Sequence, residues 1–293
     1  MSLIRRRSIL TASFVALTSS ALVLTSFSSS LSSRFPIHSV PSPSPLLIPS
    51  HPSSQHVGES HLFTARLPLR SFLPLLHSSS TPRENGTVDL ARLTALLTRA
   101  FFTTPLIRLE SLVVAPFLSN PPSSSDIALL ERGEFRKGQR FVSGAFEVVQ
   151  PPRAVPSSDD KGNGKGEKGQ MVVSWAVHPP AVRWINAMLQ RWGGDRWRVM
   201  SGGRHVFEVE VVRPFSSSPS SASSTFAPGQ EEQVELRFGC AVNYEGKEDD
   251  GKRVPTWAME AHLGFARWLF KQTLSGLREE AVRTAPGDGR KVE

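Results

Sequence analysis

Ser201-Gly202-Gly203-Arg204-His205-Val206-Phe207-Glu208-Val209-Glu210-Val211-Val212 and, after a Ser-rich stretch, Val234-Glu235-Leu236-Arg237-Phe238-Gly239-Cys240-Ala241-Val242-Asn243-Tyr244 decide how this chain folds. In the first segment His205, Phe207, Val209 and Val211 alternate with Arg204, Val206, Glu208 and Glu210. In the second, Val234, Leu236, Phe238, Cys240, Val242 and Tyr244 point one way, while Glu235, Arg237 and Asn243 point the other. Side chains of a strand alternate between two faces, so such patterning predicts an antiparallel sheet with one covered face. Arg204, Glu208, Glu210 and Arg237 fall on the outward face, where cross-strand ion pairs at the surface would each be worth less than about 1 kcal/mol.

What covers the other face is read from the segment that follows. From Thr256 to about Glu280, Glu260, Arg267, Lys271 and Arg278 share one narrow stripe of a helix. Trp257, Ala261, Phe265, Trp268, Leu269, Phe270 and Leu274 occupy most of the rest, so this helix is expected to be covered on more than one side. Upstream, Asp89 to Phe101 and Pro105 to about Phe117 read as helices; Phe141 to Val149 and Met171 to Val177 read as strands by their β-branched and aromatic content. Ala181 to Trp192, between Pro179-Pro180 and Gly193-Gly194, is an amphipathic helix with Val182, Trp184, Ile185, Met188, Leu189 and Trp192 on one side. It packs on the core or closes a pocket as a lid, through Trp184, Met188 and Trp192. The fold class is therefore α+β: a curved antiparallel sheet packed on a long C-terminal helix in a helix-grip-like layout, with N-terminal helices and Ser/Pro-rich loop insertions.

Four parts follow: a leader over 1–34, a Ser/Pro-rich tether over 35–60, one domain over 61–283 and a disordered tail over 284–293. The first 58 residues hold Arg5, Arg6, Arg7 and Arg34 and no Asp, Glu or Lys, so they carry half of the formal charge of +8. The rest has 30 basic against 26 acidic residues, a mixture unlike the concentrated basic face that nucleic acid requires. The uncharged run from Ser8 to Phe27 has the length of a bilayer-crossing helix. Three readings of the leader compete: a retained membrane anchor (a transmembrane helix), a transit peptide for mitochondria or another organelle, and a cleaved secretory signal. Ser119 to Ser125, Pro151 to Gly169 and Ser216 to Gly229 read as surface insertions.

Chemical motifs are sparse. Cys240 stands alone, which excludes an internal disulfide. Neither paired metal ligands nor a Gly-x-Ser-x-Gly elbow occurs, so no metal and no cofactor is implied. Gly164-Lys165-Gly166-Glu167-Lys168-Gly169 has the letters of a dinucleotide fingerprint but precedes a strand where the fingerprint must follow one. His205 is more informative. On the apolar face of its strand, an imidazole needs a hydrogen-bond partner and can act as acid or base if a ligand lies beside it, with Arg204 as an electrostatic partner.

From Trp175 through Leu274 the chain resembles a family of uncharacterised fungal proteins. The resemblance is carried by Ser201-Gly202-Gly203-Arg204-His205, by Arg237-Phe238-Gly239 with Asn243-Tyr244-Glu245, and by Pro255-x-Trp257 ahead of the aromatic helix. It implies no activity. The element order is also similar to the START-like (SRPBCC) helix-grip superfamily, whose members enclose an apolar cavity between sheet and terminal helix. Fold similarity does not by itself transmit function. The leading expectation is a domain that holds an apolar small molecule or lipid among Trp175, Phe207, Phe238, Tyr244, Trp257 and Trp268. Two alternatives stand beside it: a cyclase- or isomerase-like enzyme using His205, and a non-enzymatic scaffold whose Ser-rich loops dock partners or accept phosphate.

Overall fold

A computed structural model describes residues 34–40, 44–77, 88–114, 122–142, 144–157, 167–212 and 232–285. The leader up to residue 33, the insertion over 213–231 and the tail from 286 lie outside the described residues. Strands are β1 (Ile37–Ser39), β2 (Gln55–Pro68), β3 (Arg140–Phe141), β4 (Phe146–Pro156), β5 (Glu167–Ala176), β6 (Gly202–Val212) and β7 (Gln233–Glu245). Helices are α1 (Leu73–His77), α2 (Leu90–Phe102), α3 (Pro105–Val114), α4 (Ser124–Arg132), α5 (Pro179–Gly193) and α6 (Thr256–Thr284). The strands form a single open sheet in the order β1-β2-β7-β6-β5-β4-β3, and every neighbouring pair is antiparallel. Breaks in register at Val57/Glu59 in β2 and twice between Val148 and Arg153 in β4 mark bulges, which bend the strands that carry them.

The inner face of the sheet is apolar because the alternation places one aromatic row at its centre. Phe63, Phe238, Phe207 and Met171 sit side by side on β2, β7, β6 and β5, and all four are buried. Onto this row pack α2, through Leu93, Leu97 and Phe101, and α6, through Phe270, Leu274 and Leu277. The Phe101 ring centroid lies 4.7 Å from that of Phe238 and 5.2 Å from that of Phe207. Asp89 caps α2 by accepting a hydrogen bond from the Arg92 amide at 3.0 Å, as its position ahead of the apolar run implies. The buried Thr94 and Thr98 hydroxyls donate to Leu90 and Thr94 carbonyls one turn back, which leaves neither group unpaired in the core.

Several segments depart from the sequence expectation. The stretch over 35–60 is not an extended tether: Phe35 is buried against the Phe270 ring, β1 pairs with β2, and a 3-10 turn at Pro45–Leu47 seats Leu46 on the outer face over Gly239. Its Ser and Pro content reads as unstructured, yet two apolar residues suffice to anchor it as a strap. The loop expected over 151–169 is shorter, since β4 runs on to Pro156 and β5 begins at Glu167. Helix α4 was hidden in a Ser-rich stretch, although Ser123 and Asp126 form a capping box and Gly133 closes the helix in the left-handed conformation. Helix α6 packs on the sheet and also on α2 and α1, so it is covered on more than one side as expected, although Trp257 and Trp268 remain exposed. Among the described residues no helix is long and apolar enough to cross a membrane.

Where α2 crosses β5, the two backbones come together at Gly169. A Cβ there would stand 2.2 Å from the Leu90 carbonyl oxygen and 2.2 Å from the Thr94 hydroxyl. Gly276, inside α6, has open space around the same point. Opposite signs are expected for the two alanine substitutions in urea unfolding. Gly169→Ala should destabilise by about 1–3 kcal/mol through overpacking. Gly276→Ala should stabilise by up to about 1 kcal/mol, because alanine favours the helix.

Candidate functional site at the histidine rim

The inner face changes character one row beyond the phenylalanines. His61, Cys240, His205 and Val173 form the next row, and Glu59, Val242, Gly203 and Trp175 the one after it. Adjacent strands lie about 4.8 Å apart, so two strand-to-strand steps separate His61 from His205. Helix α6 crosses this end with Met259, His262, Leu263 and Ala266. The arrangement gathers three imidazoles, a thiol, a carboxylate and an indole at the mouth of the sheet–helix interface.

His205 is held in an aromatic box, its ring 5.2 Å from Phe238, 5.5 Å from Phe146, 6.2 Å from Phe101 and 6.3 Å from Trp175. Gly203 makes room for Trp175: a Cβ would fall 2.8 Å from the indole Nε1. Three buried nitrogens at this end, Trp175 Nε1, His205 Nδ1 and His262 Nε2, find no hydrogen-bond partner within the protein, while His61 Nε2 lies 3.6 Å from the Glu59 carboxylate. Buried polar groups are nearly always paired, and leaving one unpaired costs about 1–3 kcal/mol. Three together in one place is therefore an unusual concentration. The rim is reachable from solvent, since the Glu59 side chain is 32% exposed and that of His61 22%.

Burial disfavours charge on two of the rim imidazoles and on the thiol. Burial, with the charge of His262 adding to it, pushes His205 down to about 3. Burial and His61 push His262 down to about 4, against a smaller opposing effect of Glu59. Burial and Glu59 push the Cys240 thiol up to about 12, so it is no thiolate nucleophile near neutral pH. Tyr244 lies behind the rim in a separate cluster with Val242, Val254 and Met259, its ring stacked on His56 and covering Gly58 at the β2 bulge.

On the outer face the charges are paired, and more deeply than a surface network would be. In one row Glu210, Glu235, Arg66 and Lys168 stand together; in the next, Glu208, Arg237, Thr64 and Gln170. Arg66 bonds Glu235 at 2.6 Å, Arg237 bonds Glu235 at 2.5 Å and Glu210 at 3.2 Å, and Lys168 bonds Glu208 at 2.9 Å. Glu208 and Glu235 are buried, because the strap over Leu46 closes one side of a groove of about 530 Å³. Burial pushes the Glu235 carboxyl up, but the bonds from Arg66 and Arg237 outweigh it and hold the group below its usual range.

The fold brings together only part of the residue set expected from sequence. Trp175 and His205 are neighbours at the rim, and Phe207 and Phe238 form the floor beneath them. Tyr244 stands to one side, and the exposed Trp257 and Trp268 take no part. Arg204 does not partner His205, because successive residues of a strand face opposite sides; it lies on the outer face, 3.5 Å from the Pro45 carbonyl oxygen. Of the lid residues on α5, Trp184 is exposed and Met188 half-buried, while the side chain of Trp192 lies outside the described residues. Val182 and Leu189, not Trp184, are on the buried side of this helix. The chain leaves β5 at Ala176 and enters β6 at Gly202, so α5 is tethered at the rim end of the sheet. Glu59, His61 and His262 were missed. The first two occupy the inward positions of β2 where apolar residues are expected, and His262 lies on the side of α6 that faces them.

Comparison with known proteins adds no relative: no family model matches the chain, nor does any curated protein or solved structure.

The neutral histidines predict how stability depends on pH. An unfolded histidine takes up a proton near pH 6.5, whereas His205 and His262 resist protonation until about 3 and 4. The unfolded state therefore binds more protons between these limits, and stability falls as pH drops through that window. From about pH 7.5 to about pH 5 each histidine should cost the fold on the order of 2 kcal/mol. Urea midpoints measured at both pH values should show this loss. In His205→Phe roughly half of it should disappear.

Proposed function

We propose that the domain holds a small molecule at the histidine rim, between the mouth of the sheet and α6. The single observation that supports this most is the gathering of three buried nitrogens without hydrogen-bond partners, Trp175 Nε1, His205 Nδ1 and His262 Nε2, above an apolar floor, the combination that small-molecule sites use to fix orientation. The helix-grip-like layout supports it too, as does the resemblance to the START-like superfamily. In this reading Trp175 and His205 meet the ligand, Phe207 and Phe238 are the floor and α5 is the cover. The leader would deliver the domain by membrane anchoring, organelle import or secretion.

A second reading draws on the same residues. Two neutral imidazoles that sense each other's charge, His205 and His262, are suited to passing a proton across a bound substrate, as a cyclase- or isomerase-like enzyme would require. His262 takes the place first expected for Arg204.

Native mass spectrometry of the full chain purified from cells tests the first reading. A non-covalent mass that disappears on denaturation is expected, and Trp175→Phe and His205→Asn should each lower its occupancy while far-ultraviolet circular dichroism stays unchanged. A chain that carries no such mass, and whose tryptophan fluorescence is the same in the parent and both variants after lipid and metabolite extracts are added, would overturn it.

A further inference from the structure

Resting on the ligand-holding reading, we infer that the rim takes a compact, uncharged molecule with a carbonyl oxygen, and takes neither an anion nor a long acyl chain. The fixed donor decides the first part. An indole N–H can only donate, and the Trp175 nitrogen lies over Gly203, where a Cβ would come within 2.8 Å of it. Whatever meets it presents an acceptor.

The charges around the rim decide against an anion. From β2 the rim receives Glu59 and His61, from β6 His205, from β7 Cys240, with Tyr244 behind it, from α6 His262, and from β5 and α2 Trp175, Val173 and Phe101. Among these described residues the only permanent charge is the Glu59 carboxylate. The nearest arginine behind Tyr244, Arg253, is already held by both oxygens of Asp249 at 2.8 and 2.6 Å. A carboxylate or phosphate would enter a partly buried site facing a like charge, with no lysine or arginine among these residues to receive it, which is unfavourable. A carbonyl oxygen suits the same site.

Packing decides the size. Directly under the His61–Cys240–His205 row, Phe63, Phe207 and Phe238 are at most 1% exposed, and Phe101 fills the space between them and α2. Interiors this dense hold no chain of many methylenes without repacking. An occupant therefore stays at the level of Trp175 and His205.

The indole N–H resonances of ¹⁵N-labelled full chain provide the readout, with Trp175→Phe assigning the relevant one among the six tryptophans. Cyclohexanone, cyclohexanecarboxylate and palmitate are titrated separately near neutral pH. The ketone should move the Trp175 resonance alone, and His205→Asn should weaken its binding by about tenfold, the equivalent of one hydrogen bond. Cyclohexanecarboxylate and palmitate should leave that resonance in place. If either anion moves it at lower concentration than the ketone, the rim is a ligand site but the assigned class is wrong. If no probe moves it up to its solubility limit, or if other indoles move instead, the rim is not the site and both readings fall.

Discussion

The contact of Phe101 on α2 with Phe207 and Phe238 on the sheet is the constraint on which the rest of the structure depends. It joins residues more than a hundred positions apart in the chain, so without α2 this part of β6 and β7 has no covered face. Once it has docked, the aromatic row fixes which face of each strand is inward, because a slip of one residue would turn every side chain over. The same docking brings α2 onto β5 at Gly169, where only hydrogen fits. Helix α6 then closes the remaining width of the row. Aromatic packing of this kind is among the largest single contributions a core receives, and it concentrates the stability of the domain below the rim.

That distribution gives the two ends of the interface different characters. Below, every large side chain is apolar and surrounded. At the rim, the inward positions of β2, β6 and α6 carry histidines, which a purely structural core would replace by leucine or phenylalanine with a gain in burial. Polar groups retained in such positions are a hypothesis of function, and the absence of hydrogen-bond partners for His205 Nδ1 and His262 Nε2 sharpens it. The outer face presents a contrast. Its buried Glu208 and Glu235 are equally costly to bury, but each has found an opposite charge in Lys168, Arg66 or Arg237, so that cluster accounts for itself structurally.

How much of this the sequence discloses follows from the same physics. Strands β6 and β7 were legible because their alternation is almost unbroken, and α6 because its apolar residues crowd most of the helix surface. Asp89 and the run of leucines after it located α2. Strand β2 was not legible: its inward set reads Glu59, His61, Phe63, Ala65, Leu67, and the first two members break the pattern that identifies a strand. The residues that obscure β2 are those that give the rim its chemistry, so half of the candidate site was invisible for the reason that makes it interesting. Likewise Phe35 and Leu46 lie among serines and prolines whose composition outweighs two apolar residues in any window, although those two residues are what seat the strap. Depth of burial on the outer face was unreadable too, since alternation says which way Glu208 and Glu235 point but not that a strap lies across them.

The strap has one more consequence, for presentation. Arg34 borders the outer groove while Phe35 packs inward on Phe270, so the chain enters along the β1 edge of the sheet. Ser39 pairs with His61, so that entry lies toward the end of the sheet away from the histidine row. A molecule approaching the mouth would therefore not have to pass residue 34.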